Sequence, residues 1–225
     1  MMDIHTHILP GVDDGVQTYE EALAVLKHQL QSGVNKVVIT PHVHNSSQKV
    51  SSKEYVKLFY DLKKRVEVDL PEMTLYLGYE VKFNQEKSKE YHNFVFQGFK
   101  EKYLLIEFSV QNKEPIHDIV YNLVAKGFTP IIAHIERYLY LDMFDVERIR
   151  SLGAIIQVNS GAILGLDGKK LKKQAQKYFK KGFVDIIASD CHNLECRKPN
   201  LMEALKKAPK DFKMKVLEVW KCQNL

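Results

Sequence analysis

Imidazole and carboxylate side chains recur along this 225-residue chain at positions from which they could bind metal ions. His5 and His7 are separated by one residue, so in a strand both rings lie on the same face and can contact one ion. The other candidate ligands are spread over the chain: Asp14, His42, Glu80, Glu107, His134, Asp190 and His192. Imidazole mixed with carboxylate, without thiolate, suits Zn²⁺, Mn²⁺ or Fe²⁺.

The number of candidate ligands favours more than one ion. Five histidines and four carboxylates exceed what one ion takes, so we expect two or three ions. Neighbouring metal ions can lower the pKa of a shared water and hold the attacking and leaving oxygens of a phosphoryl transfer. Three divalent ions and four carboxylates leave a charge of about +2, which matches a phosphate-monoester dianion. Metal-dependent phosphoester hydrolysis is therefore the predicted chemistry.

Two arginines lie close to candidate ligands in the sequence. Arg137 follows His134 in the run H-I-E-R, and Arg197 comes five residues after His192. A guanidinium group binds phosphate oxygens in bidentate fashion, so both arginines are candidate phosphate ligands. Surface ion pairs are the alternative interpretation for each.

Most of the candidate ligands come at or just after the ends of predicted strands. The predicted strands are Asp3–His7, Lys36–His42, Thr74–Glu80, Tyr103–Glu107, Thr129–His134, Ala154–Asn159 and Asp185–Asp190. Amphipathic helices are predicted at Tyr19–Ser32, from the Ser51 cap to about Val68, at Ile116–Lys126, Phe144–Leu152 and Lys169–Lys181, and from about Leu201. Capping-box patterns at Thr18/Glu21 and Ser51/Glu54 mark the first two helix starts.

Strands that alternate with helices indicate an α/β fold with a mostly parallel sheet. In a β/α barrel the carboxyl ends of the strands converge on one face, which would gather these distant residues at one mouth. Asp14, in the loop after His7, would lie on the same face. An open doubly wound sheet is the alternative. Because no Pro-, Gly- or Ser-rich linker divides the chain, we expect a single domain over residues 1–225.

Composition limits the possible environment and partners. No apolar run approaches the roughly 18–20 residues that span a bilayer, and the N-terminus is polar, so we expect a cytoplasmic protein without membrane insertion. The three cysteines, Cys191, Cys196 and Cys222, do not suggest a disulfide scaffold. The net charge of +5 is compatible with an anionic substrate or an acidic partner.

Cys191 and Arg197 show the C-x₅-R spacing of thiol-dependent phosphatases. The intervening residues contain no glycine that would let backbone amides wrap a phosphate, and Glu195 would repel one. Asp190, next to the cysteine, disfavours a thiolate. We therefore favour a packing role for Cys191.

The segment Lys169–Lys181 carries seven lysines. A solvated helix face is the interpretation that we favour. Docking to an acidic kinase tail, an anionic lipid or a nucleic acid is the alternative. No stacked-aromatic motif supports nucleic-acid binding, so none is expected.

The motifs D-I-H-x-H-I-L-P-G-V-D-D-G, T-P-H, G-Y-E, I-E-F, A-H-x-E-R-Y and S-D-x-H-N run over almost the whole chain. They resemble the polymerase-and-histidinol-phosphatase (PHP) superfamily. Within it, the chain is most similar to the manganese-dependent protein-tyrosine phosphatases encoded with capsule and exopolysaccharide genes in Gram-positive bacteria. The resemblance implies a distorted seven-stranded (β/α)₇ barrel with three metal ions.

The resemblance also implies an assignment of the ligands. One ion takes His5, His7, Glu80 and Asp190; a second takes Glu107 and His134 with Glu80 bridging; the third takes Asp14, His42 and His192. It implies hydrolysis of phosphotyrosine on the tyrosine autokinase of polysaccharide export, by attack of a metal-bridging hydroxide. Arg137 and Arg197 would bind the phosphoryl group.

One departure and two alternative functions remain. Many relatives have T-P-H-H, whereas this chain has Thr40-Pro41-His42-Val43-His44, so His44 is either a substrate-side acid or, as we favour, a loop histidine. The same chemistry could act on a small phosphomonoester such as histidinol phosphate. The chain could also be a non-catalytic metal-binding module that docks to the kinase.

Overall fold

The computed structural model describes residues 1–220, so Cys222 lies outside the described residues. The strands, all parallel to their neighbours, are β1 (Met2–Asp3), β2 (Lys36–Ile39), β3 (His42–Val43), β4 (Thr74–Leu77), β5 (Glu80–Lys82), β6 (Tyr103–Glu107), β7 (Thr129–Ile132), β8 (Ile155–Asn159) and β9 (Ile186–Ala188). The α-helices are α1 (Tyr19–Ser32), α2 (Ser52–Asp69), α3 (Ile116–Ala125), α4 (Met143–Ser151), α5 (Ser160–Leu164), α6 (Lys169–Lys180) and α7 (Leu201–Lys207).

Two of the predicted strands are each broken into two segments. The break between β2 and β3 falls at Thr40–Pro41, where the proline has no amide hydrogen to donate to a neighbouring strand. The break between β4 and β5 falls at Gly78–Tyr79. A Cβ atom at Gly78 would collide with the ring of Phe96, so this position excludes larger residues. The prediction of unbroken strands was therefore wrong at these two places.

The segments close into a seven-stranded barrel. The sheet orders are β4-β2-β1 and β3-β5-β6-β7-β8-β9, and the two broken strands belong to both. An isolated bridge between Thr6 and Cys191 joins the first strand to the last. Around it, the His7 amide donates to the Cys191 carbonyl at 2.8 Å and the Asp190 amide donates to the His5 carbonyl at 2.9 Å. The expected barrel is confirmed, although regular β1 ends at Asp3 rather than at His7.

The helices begin where their sequences predict. Thr18 with Glu21 and Ser51 with Glu54 form complete capping boxes before α1 and α2. The bounds of α1 are those predicted, and the other predicted ends agree to within one residue where a bound was given. Helix α5 and two short 3₁₀ helices, Ser88–Phe94 and Ile135–Arg137, were not predicted.

The apolar core has two parts. Side chains from six barrel strands form an interior cluster, which includes Ile4, Val38, Leu105, Ile131, Ile155 and Ile186. A larger cluster packs the helices against the outer face of the barrel. The packed interior leaves the carboxyl ends of the strands as the place for polar side chains. In residues 1–220, no helix combines the length and the apolar character that crossing a membrane requires.

Candidate metal centre

Four buried side chains converge at the mouth of the barrel. His5 and His7 follow β1, Glu80 begins β5, and Asp190 follows β9. The two Nε2 atoms of the histidines lie 3.2 Å apart. Each lies 3.3–3.5 Å from Glu80 Oε2 and from Asp190 Oδ1. Four potential ligand atoms therefore surround one point.

The donor set of this cluster fits a divalent cation. Glu80 Oε2 and Asp190 Oδ1 are buried and accept no hydrogen bond. A buried carboxylate oxygen without a donor is costly, whereas a cation between the two carboxylates would satisfy both. These oxygens point at the same space as the imidazole nitrogens of His5 and His7, which is the arrangement that metal binding requires.

A second group lies on the side of the mouth that faces solvent. Asp14 Oδ1 is 3.4 Å from His42 Nε2 and 3.6 Å from His192 Nε2. His7 also offers a ligand atom within reach of all three. The Asp14 side chain is 49% exposed, whereas the histidines are buried. This group is therefore the most accessible from outside.

A third group lies around the carboxylate of Glu80. His134 Nε2 is 2.8 Å from Glu80 Oε1, and His42 Nδ1 is 2.9 Å from Glu80 Oε2. His42, Glu80 and Glu107 together offer ligand atoms close enough to hold one ion. The structure thus brings all nine predicted ligands to one mouth. Glu80 and His42 each belong to more than one group.

Glu107 is positioned by two side chains that the sequence did not single out. Asn45 donates to Glu107 Oε2 at 2.9 Å, and Lys82 Nζ lies 3.6 Å from Glu107 Oε1. Burial and the nearby Glu80 raise the pKa of Glu107. Lys82 and Asn45 stabilise its charged form against that effect.

Two candidate ligands have an unusual backbone conformation. His134 and Asp190 have φ values of 34° and 52°, in the left-handed region that only a few per cent of non-glycine residues adopt. The regular strands consequently end before them, at Ile132 and Ala188, which corrects the predicted ends at His134 and Asp190. Such strain persists only where surrounding structure enforces it, and it concentrates at functional sites.

Both candidate arginines reach the metal cluster, and both contact Asp190. Arg137 Nη2 and Arg197 Nη2 lie 3.0 Å and 2.6 Å from Asp190 Oδ2, and Arg197 Nη1 lies 2.6 Å from His192 Nε2. Their side chains are 28% and 36% exposed, so neither is an ordinary surface ion pair. The arginines line a small recess that opens beside the ligands. A larger cavity, of about 550 Å³, lies elsewhere, beside Met1 and Ile186.

The histidines of the site differ in their affinity for protons. Burial and the like charge of His7 disfavour the charged form of His42, but Glu80 and Asp14 outweigh them and raise its pKa to about 9. Burial lowers the pKa of His134 and of His192 to about 4. His42 therefore holds a proton more tightly than His134 or His192, and a bound metal ion would have to displace it.

Asp13 is a buried residue of the site that sequence analysis missed. Its carboxylate accepts hydrogen bonds from His7 Nδ1 at 3.0 Å, from the His42 amide at 3.1 Å and from the Gly15 amide at 3.0 Å. Burial raises the pKa of Asp13, but the His7 bond lowers it overall, to about 2. Asp13 thereby turns His7 Nε2 towards the cluster, an orienting role common behind metal-bound imidazoles. The adjacent acidic pair Asp13-Asp14 was the available signal.

Gln157 and Asn159, on β8, form a second support beneath the cluster. Gln157 Oε1 contacts His5 Nδ1 at 3.2 Å and accepts the amide of His134 at 2.9 Å. Gln157 Nε2 donates to Asn159 Oδ1, and Asn159 Nδ2 donates to Asp190 Oδ2 at 2.7 Å. This chain of amides fixes three candidate ligands. The alternation of polar side chains on a buried strand could have indicated it.

His44 is packed rather than presented to a substrate. Its side chain is 7% exposed, and its ring lies edge-on to Phe94 at 5.5 Å and near Tyr91 at 6.3 Å. Burial lowers its pKa. The contacts support the interpretation as a loop histidine.

Comparison with known proteins identifies the family. Residues 1–224 match the model of the family described as "Capsular polysaccharide synthesis, CpsB/CapC". The chain belongs to the CpsB/CapC family. This match confirms the family resemblance that the sequence motifs indicated.

Relatives with known names and structures cover nearly the whole of this CpsB/CapC chain. It is 33% identical over 221 residues to the tyrosine-protein phosphatase CpsB of Streptococcus agalactiae, covering 94% of this chain and 91% of the relative. It is 29% identical over 217 residues to the tyrosine-protein phosphatase YwqE of Bacillus subtilis, covering 94% and 85%. One similar crystal structure comes from work on YwqE and Streptococcus pneumoniae CpsB, which are described there as metal-dependent tyrosine phosphatases. It superimposes on this chain with a TM-score of 0.85 at 28% sequence identity, covering 94% of this chain and 87% of that one.

The CpsB/CapC barrel is shared with more distant proteins. A histidinol phosphate phosphatase from Lactococcus lactis superimposes with a TM-score of 0.62 at 10% identity, covering 97% of this chain and 96% of that one. At this identity the similarity establishes a common fold alone. It agrees with the PHP-type barrel expected from the motifs.

Cys191 of this CpsB/CapC chain is fully buried. Burial and nearby Asp3 raise the pKa of its thiol, which disfavours a thiolate. We therefore expect Cys191→Ala to retain activity within a few-fold of the unmodified protein, because the thiol packs between strands and reaches no substrate. Steady-state turnover of a phosphotyrosine peptide measures this. Complete loss of turnover in a variant that still melts cooperatively would restore the thiol mechanism.

Proposed function

We propose that this chain is a metal-dependent tyrosine-protein phosphatase of capsular polysaccharide synthesis. The observation that carries the proposal is the convergence of nine imidazole and carboxylate ligands at one mouth, with two buried carboxylate oxygens that accept no hydrogen bond of good geometry. The names of relatives that share about a third of its sequence over most of its length supply the substrate class.

The nine ligands are proposed to hold two or three divalent ions, with Mn²⁺ as the favoured metal and Fe²⁺ or Zn²⁺ as alternatives. His5, His7, Glu80 and Asp190 hold one ion, because their ligand atoms surround one point. Asp14, His42 and His192 hold a second, near solvent. Glu107 and His134 hold a third together with Glu80, whose two carboxylate oxygens face different groups.

Bound divalent ions supply an activated water and neutralise charge on the phosphoryl group. The arginines of the chain have a different task. Arg137 and Arg197 direct guanidinium nitrogens into the recess beside Asp190, where they would bind phosphoryl oxygens and orient the ester. Asp14 and His192 border the accessible side, from which the phosphotyrosine enters. Protonation of the leaving phenolate is not essential, since a phenol with a pKa near 10 is a tolerable leaving group beside cations.

The proposed partner is a phosphorylated tyrosine autokinase of polysaccharide export, and the proposed location is the cytoplasm. A protein substrate suits a site whose outermost ligand, Asp14, is half exposed, because a phosphotyrosine side chain projects far enough from a peptide to reach it. The family links the chain to capsule synthesis.

A comparison of substrates tests the proposed function. Purified protein with added Mn²⁺ is assayed on a phosphotyrosine peptide, the matched phosphoserine peptide and histidinol phosphate. We expect phosphotyrosine to have the highest kcat/KM, because an aryl ester has the best leaving group and the recess opens to solvent. Preferential turnover of histidinol phosphate would instead favour a small-molecule phosphatase. Metal binding without turnover of any ester would indicate a non-catalytic module.

Substitution of an arginine tests the phosphate-binding role. We expect Arg137→Ala to lower kcat/KM for the phosphotyrosine peptide by about 10- to 100-fold, as for loss of one charge-assisted contact to a transferring phosphoryl group. Metal content, measured by elemental analysis, should stay the same. Arg148→Ala, which removes another guanidinium of the same chain, is the control. An unchanged kcat/KM would contradict the assigned role.

A further inference from the structure

Charge is unevenly distributed along the chain. Residues 169–215 contain 14 basic and five acidic residues, so they carry a formal charge of +9 while the whole chain carries +5. The rest of the chain is therefore negative, at −4. Much of this positive charge lies on α6 and on the segment around α7, which pack next to each other through α5. One flank of the barrel is consequently strongly cationic.

The lysines of α6 have no acidic partners within the part of the chain that the structure describes. There, the lysines that pair with carboxylates are Lys82 and Lys100. Lys169 and Lys170 occupy the first turn of α6, where the helix dipole disfavours cations. Lysines three and four residues apart also repel each other along the helix. The arrangement costs stability in the free protein, which points to a counter-charge supplied from outside.

A groove separates α6 from the chain after α7. It has a volume of about 430 Å³, within the range of binding pockets. Its apolar surface includes Ala175, Phe179 and Pro209, and its rim includes Lys172, Lys180 and Lys207. The ring of Phe179 packs edge-on against Phe212 at 5.2 Å, which fixes the floor. An apolar floor with a cationic rim is complementary to an acidic segment that carries an apolar side chain.

We propose that this lysine-rimmed groove binds an acidic, partly apolar segment of the phosphoprotein substrate, a proposal that rests on the function given above. The concave shape favours a peptide whose apolar side chain enters the groove over the flat surface of an anionic bilayer. Ammonium groups on both sides of the groove can contact carboxylates along an extended chain. The groove therefore binds the substrate at a distance from the candidate metal centre.

The position of α6 sets the spacing between anchor and phosphotyrosine. Asp167, two residues before α6, borders the recess that contains Arg137 and Arg197. Lys180, at the far end of the helix, lies roughly 16 Å along the axis from Lys169. An extended peptide covers that distance in about five residues. The acidic segment should thus lie about five or more residues from the phosphotyrosine.

Two peptides and two triple variants test the groove. One peptide contains phosphotyrosine alone; the other adds, beyond a neutral spacer, a tail of alternating glutamate and leucine. The groove variant is Lys172→Glu/Lys180→Glu/Lys207→Glu. The control variant, Lys170→Glu/Lys177→Glu/Lys206→Glu, makes the same charge change on the same two helices with lysines that do not line the groove. We expect the tail to lower KM about tenfold for unmodified protein and control, and the groove variant to lose that advantage with kcat unchanged.

A direct binding measurement separates failure of the groove from failure of the proposed function. The unphosphorylated tail peptide, labelled with a fluorophore, is titrated with each protein, and its anisotropy is read. Even if no phosphotyrosine peptide were hydrolysed, we expect the groove variant to bind the tail about tenfold more weakly than the control. Turnover of p-nitrophenyl phosphate should be the same in all three proteins and reports that the metal site is intact.

Two outcomes would overturn the proposal. Equal weakening by the two triple variants would mean that overall charge, not the groove, attracts the tail. Loss of binding to vesicles containing phosphatidylglycerol in the groove variant alone, with tail binding unchanged, would assign the surface to a membrane. Selective loss of tail binding, with equal vesicle binding by both variants, supports a peptide anchor.

Discussion

Glu80→Gln is expected to lower phosphatase kcat/KM by roughly three orders of magnitude or more, because this one carboxylate contributes to two of the three proposed ion sites. Its Oε2 faces His5, His7 and His42, and its Oε1 faces His134. The amide of glutamine has the same shape, but its single neutral oxygen binds cations more weakly than a carboxylate oxygen does. Its NH₂ group cannot bind a cation at all. Burial raises the pKa of Glu80, but His5 and His42 hold it well below its usual range, so the group is charged and available to cations.

Metal content and turnover distinguish this effect from general damage. Elemental analysis of the Glu80→Gln protein should show a loss of bound ions, while the far-ultraviolet circular dichroism stays that of the unmodified barrel. Glu72→Gln makes the same chemical change at an exposed position and should leave both quantities unaltered. If the Glu80→Gln protein kept its bound ions and its catalytic rate, the central role assigned to Glu80 would be wrong.

Removal of divalent metal should abolish activity and also destabilise the fold. Without cations, Asp190 and Glu80 each keep a buried oxygen that accepts no hydrogen bond of good geometry. An ion that binds only the native state, at a free concentration of 100 times its Kd, raises the free energy of unfolding by about 2.7 kcal/mol for each site. For a chain of this size, one such site corresponds to a rise in Tm of roughly 5–10 °C.

Calorimetry with and without a chelator measures the stability effect, and the phosphotyrosine assay measures activity on the same samples. Activity should fall below detection on exhaustive chelation and return when Mn²⁺ is added back. Full activity after chelation, with an unchanged Tm, would contradict metal dependence and the role of the unpartnered oxygens together.

The sequence was most informative where a residue and its position on a strand act together. His5, His42, Glu80, Glu107 and His134 could be assigned to one mouth because parallel strands present their carboxyl ends on one side of a barrel. The starts of the helices could also be predicted from the sequence, because a capping box is a local pattern that needs no tertiary contact.

Features that depend on distant partners were not readable. Nothing near Gly78 in the chain shows that the ring of Phe96 fills the space beside it, so the requirement for glycine there could not be predicted. His134 and Asp190 have left-handed φ values, and their amides donate to residues distant in sequence, namely to Gln157 Oε1 and to the His5 carbonyl. Asp13 and Gln157 look like ordinary polar residues until the imidazoles that they orient are in place.

The bridge between Thr6 and Cys191 has a consequence for biosynthesis. Candidate ligands flank it on both sides: His5 and His7 come from the start of the chain, and Asp190 and His192 from near its end. Contacts between residues so far apart in sequence form late, after the intervening loop entropy has been lost. We expect a growing polypeptide on the ribosome to lack a complete metal cluster until the last strand emerges. Ion uptake would then complete folding and favour full-length over truncated products.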